Sequence, residues 1–328
     1  MKIVGHKKIL AYLSKTSSAK TVSHAYLFYG PEHVGKSTVA RWFGKMLVCE
    51  KSCGAPCEMC RACVEIEKGI YPDFHNIQAG SHTSLISIDE IRTLKLALSH
   101  TSLHNSYKIV IIDPIEALGP EAANAILKTL EEPHGKTVFI LIANVLTGIA
   151  KTIISRTELI TFSNVSRAEI IKALPETYSS EQKEFIARIT TGKIALALSL
   201  TPEIIHERAK DEREILKLLT SPLHEQIVLT PKTIERLGEK TREYTASLLR
   251  DILLYKIGGK KYVIHRYLAR ELYDLGKKIR LSAVTGALNE LLAMTSDIRH
   301  NVNEELLWST ILLKLSSKDA PSLSQFGY

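Results

Sequence analysis

Residues Gly30–Thr38 read GPEHVGKST, which fits the spacing G-x-x-x-x-G-K-[ST] of a phosphate-binding loop. Each fixed position has a physical task. Gly30 and Gly35 let the backbone curl so that its N–H groups face an anion, Lys36 brings a cation to the terminal phosphates, and the hydroxyl of Ser37 suits Mg2+; Thr38 carries the motif into a helix. A second carboxylate for the metal shell is expected from Asp113, which ends the apolar run KIVIID. Pro114 follows it, where many ATPases carry glutamate. Proline has no acid–base group to polarise a water, so this pattern predicts binding of ATP with Mg2+ and weak intrinsic hydrolysis. Glu116 lies two residues beyond Pro114 and is expected to point elsewhere.

A second constellation is CEKSCGAPCEMCRAC, residues 49–63, which holds all five cysteines of the chain. Cys57-x-x-Cys60-x-x-Cys63 supplies three thiolates, and either Cys49 or Cys53 the fourth. Such clustering favours a local metal site over a disulfide network. Four sulfurs close a tetrahedral Zn2+ site and leave no open position for chemistry, so the expected zinc is structural. Iron–sulfur tracts of similar spacing typically have proline after the last cysteine; here Val64 follows.

The elements that must position these groups follow from apolar periodicity. HAYLFYG (His24–Gly30) reads as a buried strand entering the glycine loop, and Ser37–Leu47 as the helix leaving it. Lys108–Asp113 and Thr137–Ala143 are two more buried strands, separated by a helix over Pro120–Glu132 that stops at Pro133. This alternation predicts an α/β domain with a parallel sheet. After Leu159–Phe162 the pattern turns helical: Asn164–Leu200 reads as short helices, the first capped by Ser166 with Glu169. Leucines at helical spacing between Lys232 and Ala320, a stretch without proline, predict an all-α bundle. The expected divisions are 1–163 (with the insertion 49–63), 164–204 and 205–328.

With 328 residues, 45% hydrophobic and 24% charged, the composition is globular and allows two or three domains. The longest apolar run, Val138–Ala143, is far too short to span a membrane, and MKIVGHKKIL lacks a secretory core, so a cytoplasmic protein without membrane partners is expected. The net charge of +8 suits nucleic acid, an acidic partner or simply a solvated basic surface.

HAYLFYGPEHVGKSTVAR, the cysteine cluster followed by YPDFHNI, ISIDEIRTLK, YKIVIID, AANAILKTLEEP and TIISRT together resemble the AAA+ clamp-loader subunits of bacterial DNA polymerase III, the delta-prime branch most of all. That resemblance implies a P-loop domain with a parallel sheet, a small helical lid and a C-terminal helical collar for oligomerisation. It also implies a hetero-pentameric ring with gamma/tau and delta subunits that opens a sliding clamp around primed DNA. In such rings ATP lies between subunits, and the arginine of an S-R-C triplet reaches the neighbour's nucleotide; by resemblance Arg156, in Ser155-Arg156-Thr157, is that arginine finger in trans. Asn144 is implied as a sensor of the terminal phosphate, unless it caps its strand end. Val4, Gly5 and His6 match the segment near adenine, Glu131 and Glu132 face the neighbour or end their helix in solvent, and the family's longer first spacing favours Cys49 over Cys53. Three departures stand out. Thr157 replaces the cysteine of the S-R-C triplet, a mild change that leaves the arginine in place. Pro114 replaces the glutamate of the motor subunits, and Ala195 falls where they carry a sensor arginine. The resemblance therefore implies a stator; a gamma-like motor ATPase and a stand-alone basic DNA-binding module are the alternatives.

Overall fold

The structure is a computed structural model that describes residues 3–51, 54–79, 85–102, 107–133, 135–297 and 304–316. Contacts group the chain into two compact units, 1–199 and 200–328.

In the first unit the described elements are α1 (Lys7–Ser18), β1 (Ala25–Tyr29), α2 (Lys36–Val48), α3 (Arg61–Glu67), β2 (Phe74–Gln78), α4 (Ile88–Ser99), β3 (Lys108–Asp113), α5 (Pro120–Glu131), β4 (Thr137–Ala143), α6 (Lys151–Ile154), β5 (Glu158–Thr161), α7 (Arg167–Ala173), α8 (Ser180–Ile189) and α9 (Ile194–Ser199). The strands form one parallel sheet in the order β2-β3-β4-β1-β5. Successive residues serve opposite cores, as the two-residue period of a strand requires. Tyr26, Phe28, Ile109, Ile111, Val138, Ile140 and Ile142 pack with α2, whereas Leu27, Val110, Ile112, Phe139 and Leu141 pack with α4 and α5. Both faces are therefore covered, which is why these strands are apolar throughout. This is a five-stranded parallel α/β domain followed by helical elements.

The three buried strands expected from their apolar runs form there, and they are the central three of the sheet. β2 was not legible in that way: FHNIQ is only half-buried, because as an edge strand it pairs on one side and keeps polar residues toward water. The Ser166–Glu169 capping box at α7 forms as expected, with each side chain accepting a backbone N–H of the other residue.

The second unit is helical: α10 (Pro202–Thr220), α11 (Leu223–Leu237), α12 (Glu239–Lys256), α13 (Ala269–Lys278), α14 (Leu281–Asp297) and α15 (Glu304–Ser316). Its leucine-rich core includes Leu248, Leu249, Ile252, Leu272, Val284 and Trp308. It also buries ions. Glu212, Asp251 and His265 are all fully buried. His265 Nδ1 lies 2.8 Å from Asp251 Oδ2, which also accepts the backbone N–H groups of Ile264 and His265; His265 Nε2 lies 3.2 Å from Glu212, and Arg208 donates to the same carboxylate at 2.7 Å.

Candidate nucleotide and metal sites

The C-terminal ends of β1, β3 and β4 lie side by side and bring the predicted phosphate-site residues together. Gly30 leaves β1 with φ 151°, and a Cβ there would sit 2.3 Å from the carbonyl oxygen of Phe162, so no side chain fits. Gly35 caps α2 in the left-handed region at φ 98°, a conformation that glycine adopts without steric cost. Lys36 opens the helix beneath them. Its Nζ donates to the carbonyls of Gly30 (2.7 Å) and Pro31 (2.6 Å) and to Asn144 Oδ1 (2.9 Å). Burial lowers the Lys36 pKa, against which the charges of Asp113, Glu116 and Glu32 act. Ser37 Oγ donates to Asp113 Oδ2, from the end of β3. Burial raises the Asp113 pKa, opposed by the Ser37 hydrogen bond and by Lys36. A hydroxyl and a carboxylate thus meet at the start of α2, next in chain to the Lys36 ammonium, with the first turn of α2 supplying backbone N–H groups. That donor set suits a phosphate with its divalent cation.

Asn144 is held from both sides. Its amide oxygen accepts from Lys36, and its backbone N–H donates to Glu116 Oε1 at 2.6 Å; Val145 N–H donates to the same oxygen at 2.9 Å. The expectation for Glu116 is corrected here: from the 3-10 turn Ile115–Ala117 that follows β3, its carboxylate reaches the end of β4 at the rim of the site. Its visible task is to anchor the end of β4. Pro114 begins that turn and offers no acid or base.

Val4, His6, Val34, Gly35, Thr38, Ile194, Ala195 and Leu198 line a small, largely apolar pocket beside the loop. His6 Nε2 lies 2.8 Å from the carbonyl of Val34. Ala195 N–H donates to the His33 carbonyl at 2.8 Å, so the start of α9 is tied to the phosphate loop, but its methyl brings no charge to the site.

Arg156 is elsewhere. It precedes β5, whose first residue Glu158 is in register with Tyr26 and whose last residue Thr161 is in register with Tyr29. Since β1 and β5 run parallel, Arg156 lies toward the N-terminal end of the sheet while the phosphate loop follows the C-terminal end. Glu158, two residues after Arg156, is level with Tyr26, whereas Gly30 directly follows Tyr29 at the other end of β1. Arg156 instead pairs with Glu131 at 2.7 Å and donates to the Thr152 carbonyl at 3.1 Å, at the surface.

The second constellation assembles around the far end of α2. Cys49 follows its last residue, and the sulfurs of Cys49, Cys57, Cys60 and Cys63 all lie within 4.8 Å of one another, with Cys49 and Cys60 4.0 Å apart. Tetrahedral Zn–S bonds of about 2.3 Å require sulfurs about 3.8 Å apart, so the four fit a metal after small adjustments. Backbone N–H groups of Cys57, Cys60 and Cys63 point at Cys49, Cys57 and Cys60 sulfurs respectively, the pattern that steadies thiolates. Amides of Met59 and Cys60 bring the Cys57 thiol down to about 6, while burial pushes Cys49 and Cys63 up, a cost that a cation would reverse. Cys53, the other candidate ligand, lies outside the described residues. Sequence reading missed the anchor of this module: fully buried Lys45 of α2 pairs with Glu58 at 2.8 Å and Glu67 at 2.6 Å, and Arg41 donates to the Ile66 carbonyl. A lysine within an amphipathic helix gives no sign of such partners.

Comparison with known proteins settles the family. A family model described as DNA polymerase III, delta subunit, matches residues 5–166, and one for the C-terminal part of that subunit matches 213–317. The delta' subunit of Bacillus subtilis DNA polymerase III is 28% identical over 94% of this chain and 95% of its own length. A gamma subunit from Buchnera aphidicola is 31% identical over 73% of this chain and 68% of its own. The chain belongs to the DNA polymerase III delta-prime subunit family, related to the gamma and tau clamp-loader subunits. It spans 58% of the length of the Bacillus subtilis tau subunit, to which it is 30% identical. Among solved structures, a gamma-subunit-related protein of Thermotoga maritima aligns with a TM-score of 0.47 and 19% identity, covering 94% of this chain and 99% of that one. Within the family, the four-cysteine cluster is consistent with a structural zinc.

Proposed function

We propose that this chain is the stator of a clamp-loader ring: it presents Arg156 to ATP held by a neighbouring subunit and helps load a sliding clamp onto primed DNA. The observation that carries this reading is the placement of Arg156 toward the opposite end of the sheet from its own phosphate loop. A guanidinium there serves a neighbour's nucleotide or none. Its present partner, Glu131, is a surface carboxylate, and exposed ion pairs are worth only about 0–1 kcal/mol, so a triphosphate displaces it readily. At the terminal phosphate the guanidinium offsets charge that builds on the transferring oxygens, a contribution of about 10³–10⁵ in rate where arginine fingers act.

Gamma/tau and delta subunits are the ring partners this reading assigns, with residues 1–163, 164–204 and 205–328 as ATPase-like, lid and collar domains. The chain's own loop would hold ATP through Gly30, Gly35, Lys36, Thr38 and Asn144, with Ser37 and Asp113 taking its Mg2+. That cation would neutralise phosphate charge. Pro114 and Ala195 supply neither a base for water nor a sensor cation, so the chain binds nucleotide with little turnover. Cys49, Cys57, Cys60 and Cys63 would hold the structural zinc.

The test is Arg156→Ala in a complex reconstituted with the motor subunits and clamp. Folding and ring assembly should be retained while DNA-stimulated ATPase falls at least tenfold, about 1.4 kcal/mol of barrier. Unchanged ATPase in a fully assembled ring refutes the trans role.

A further inference from the structure

The chain's positive charge is concentrated in one place that the nucleotide and metal sites do not use. Residues 250–280 contain nine lysines and arginines against three acids, and four of the chain's twelve tyrosines. One of the acids, Asp251, is buried against His265. Among the described residues Lys260, Arg266, Arg270, Lys277 and Lys278 have no carboxylate within ion-pair distance, whereas Arg208, Arg236 and Arg242 of the same unit each do. The unpaired cations gather around aromatic rings. Lys277 Nζ stands 4.3 Å and Lys260 Nζ 5.6 Å from the centre of the Tyr273 ring, which packs edge-on against Tyr255 at 6.0 Å. Arg266 is exposed, and its charge acts on Tyr255 against burial, which raises that tyrosine's pKa. On α13, Arg270, Tyr273 and Lys277 recur at i, i+3 and i+7 and share a face, while Leu272, Leu275 and Gly276 fill the buried one. Tyr273 is 41% exposed and Tyr262, next in chain to Lys261, 57%.

Holding like charges over one ring costs electrostatic energy that the π face offsets only in part. A polyanion threaded between them removes the remainder. Exposed rings beside the cations add stacking surface, which duplex DNA with its paired bases cannot use and a single strand can. We infer that the face formed by Lys260, Arg266, Arg270, Tyr273 and Lys277 in the C-terminal helical unit binds the sugar-phosphate backbone of single-stranded DNA. The inference is independent of the Arg156 reading, because neither ATP site contributes a residue to it.

The experiment is fluorescence anisotropy of labelled oligo(dT) titrated with the full chain over a range of salt concentrations. Three proteins are compared: the unaltered chain, Lys260→Ala/Lys277→Ala, and a control, Lys217→Ala/Lys232→Ala, which removes two exposed lysines from α10 and α11. The unaltered chain and control should bind alike. The test variant should bind roughly tenfold more weakly at low salt, and its slope of log affinity against log salt should be shallower by about 1.4, the share of two phosphate contacts on a single strand. Equal loss in test and control variants, or unaltered binding by both, overturns the assignment. So does tighter binding of a same-length duplex or of polyglutamate than of oligo(dT), which would make the face a reader of duplex or acidic protein. Thermal midpoints of the three proteins guard against misfolding, and the single variant Arg270→Gln gives a second reading of the same face.

Discussion

His265 shows how a single buried residue ties the second unit's stability to pH. Burial disfavours its charged form, but Asp251 on one nitrogen and Glu212 on the other raise its pKa above the usual 6.5. For Glu212, burial acts upward, but His265, Arg208 and Tyr267 outweigh it and lower the pKa below the usual 4.5. The raised His265 contributes stability fully below about 6.5 and loses it as pH rises through its folded value; the lowered Glu212 contributes above about 4.5 and loses it as pH falls through its own. The second unit should therefore be most stable between those limits. Trp308 is buried in this unit's core, so its fluorescence in a Trp42→Phe background reports the transition. His265→Gln should cost about 3–5 kcal/mol, since it takes the imidazole from buried Asp251 and leaves buried Glu212 with Arg208 alone, and it should abolish the alkaline limb of the profile. An alkaline limb that survives the substitution would assign the pH response to another group.

At the scale of the element, α2 joins both constellations. Its first turn carries Lys36 and Ser37, its last turn Lys45, and the residue after it is Cys49. The cysteine module is therefore fixed to the same rod that holds the phosphate loop, and metal loss should be felt along it. Metal analysis of purified protein should find about one zinc per chain, as four thiolates require. Cys49→Ser should reduce that to near zero while Cys53→Ser leaves it in place; the opposite result would give the fourth ligand to Cys53. Chelation should lower the thermal midpoint of the first unit, because structural zinc contributes folding free energy outright. Gly30→Ala should destabilise the same unit by about 1–3 kcal/mol or more, as its Cβ would collide with the Phe162 carbonyl rather than with a side chain that could move.

For the whole molecule, the expected outcome is a subunit whose chemistry appears only in company. The purified chain should bind a fluorescent ATP analogue, lose that binding in Lys36→Ala, and hydrolyse ATP far more slowly than a reconstituted ring measured with primed DNA. Turnover by the isolated chain at an ordinary ATPase rate of about 1 s⁻¹ or above would favour the motor reading instead. The sequence by itself determined what short-range chemistry can encode: the glycine loop and its cation, the strands whose two buried faces made them continuously apolar, the Ser166–Glu169 cap and the dense cysteine spacing. It could not determine relations that depend on which strands become neighbours. Edge strand β2 lacked an apolar signature because only one of its sides is paired. Glu116 looked remote in sequence yet reaches Asn144, and Lys45 looked like a solvated helix residue yet closes the cysteine module. The parallel register of β1 and β5 separates Arg156 from Gly30, a separation that no local pattern contains. Local motifs fix which groups a chain can offer; long-range pairing of strands and helices fixes which of them meet.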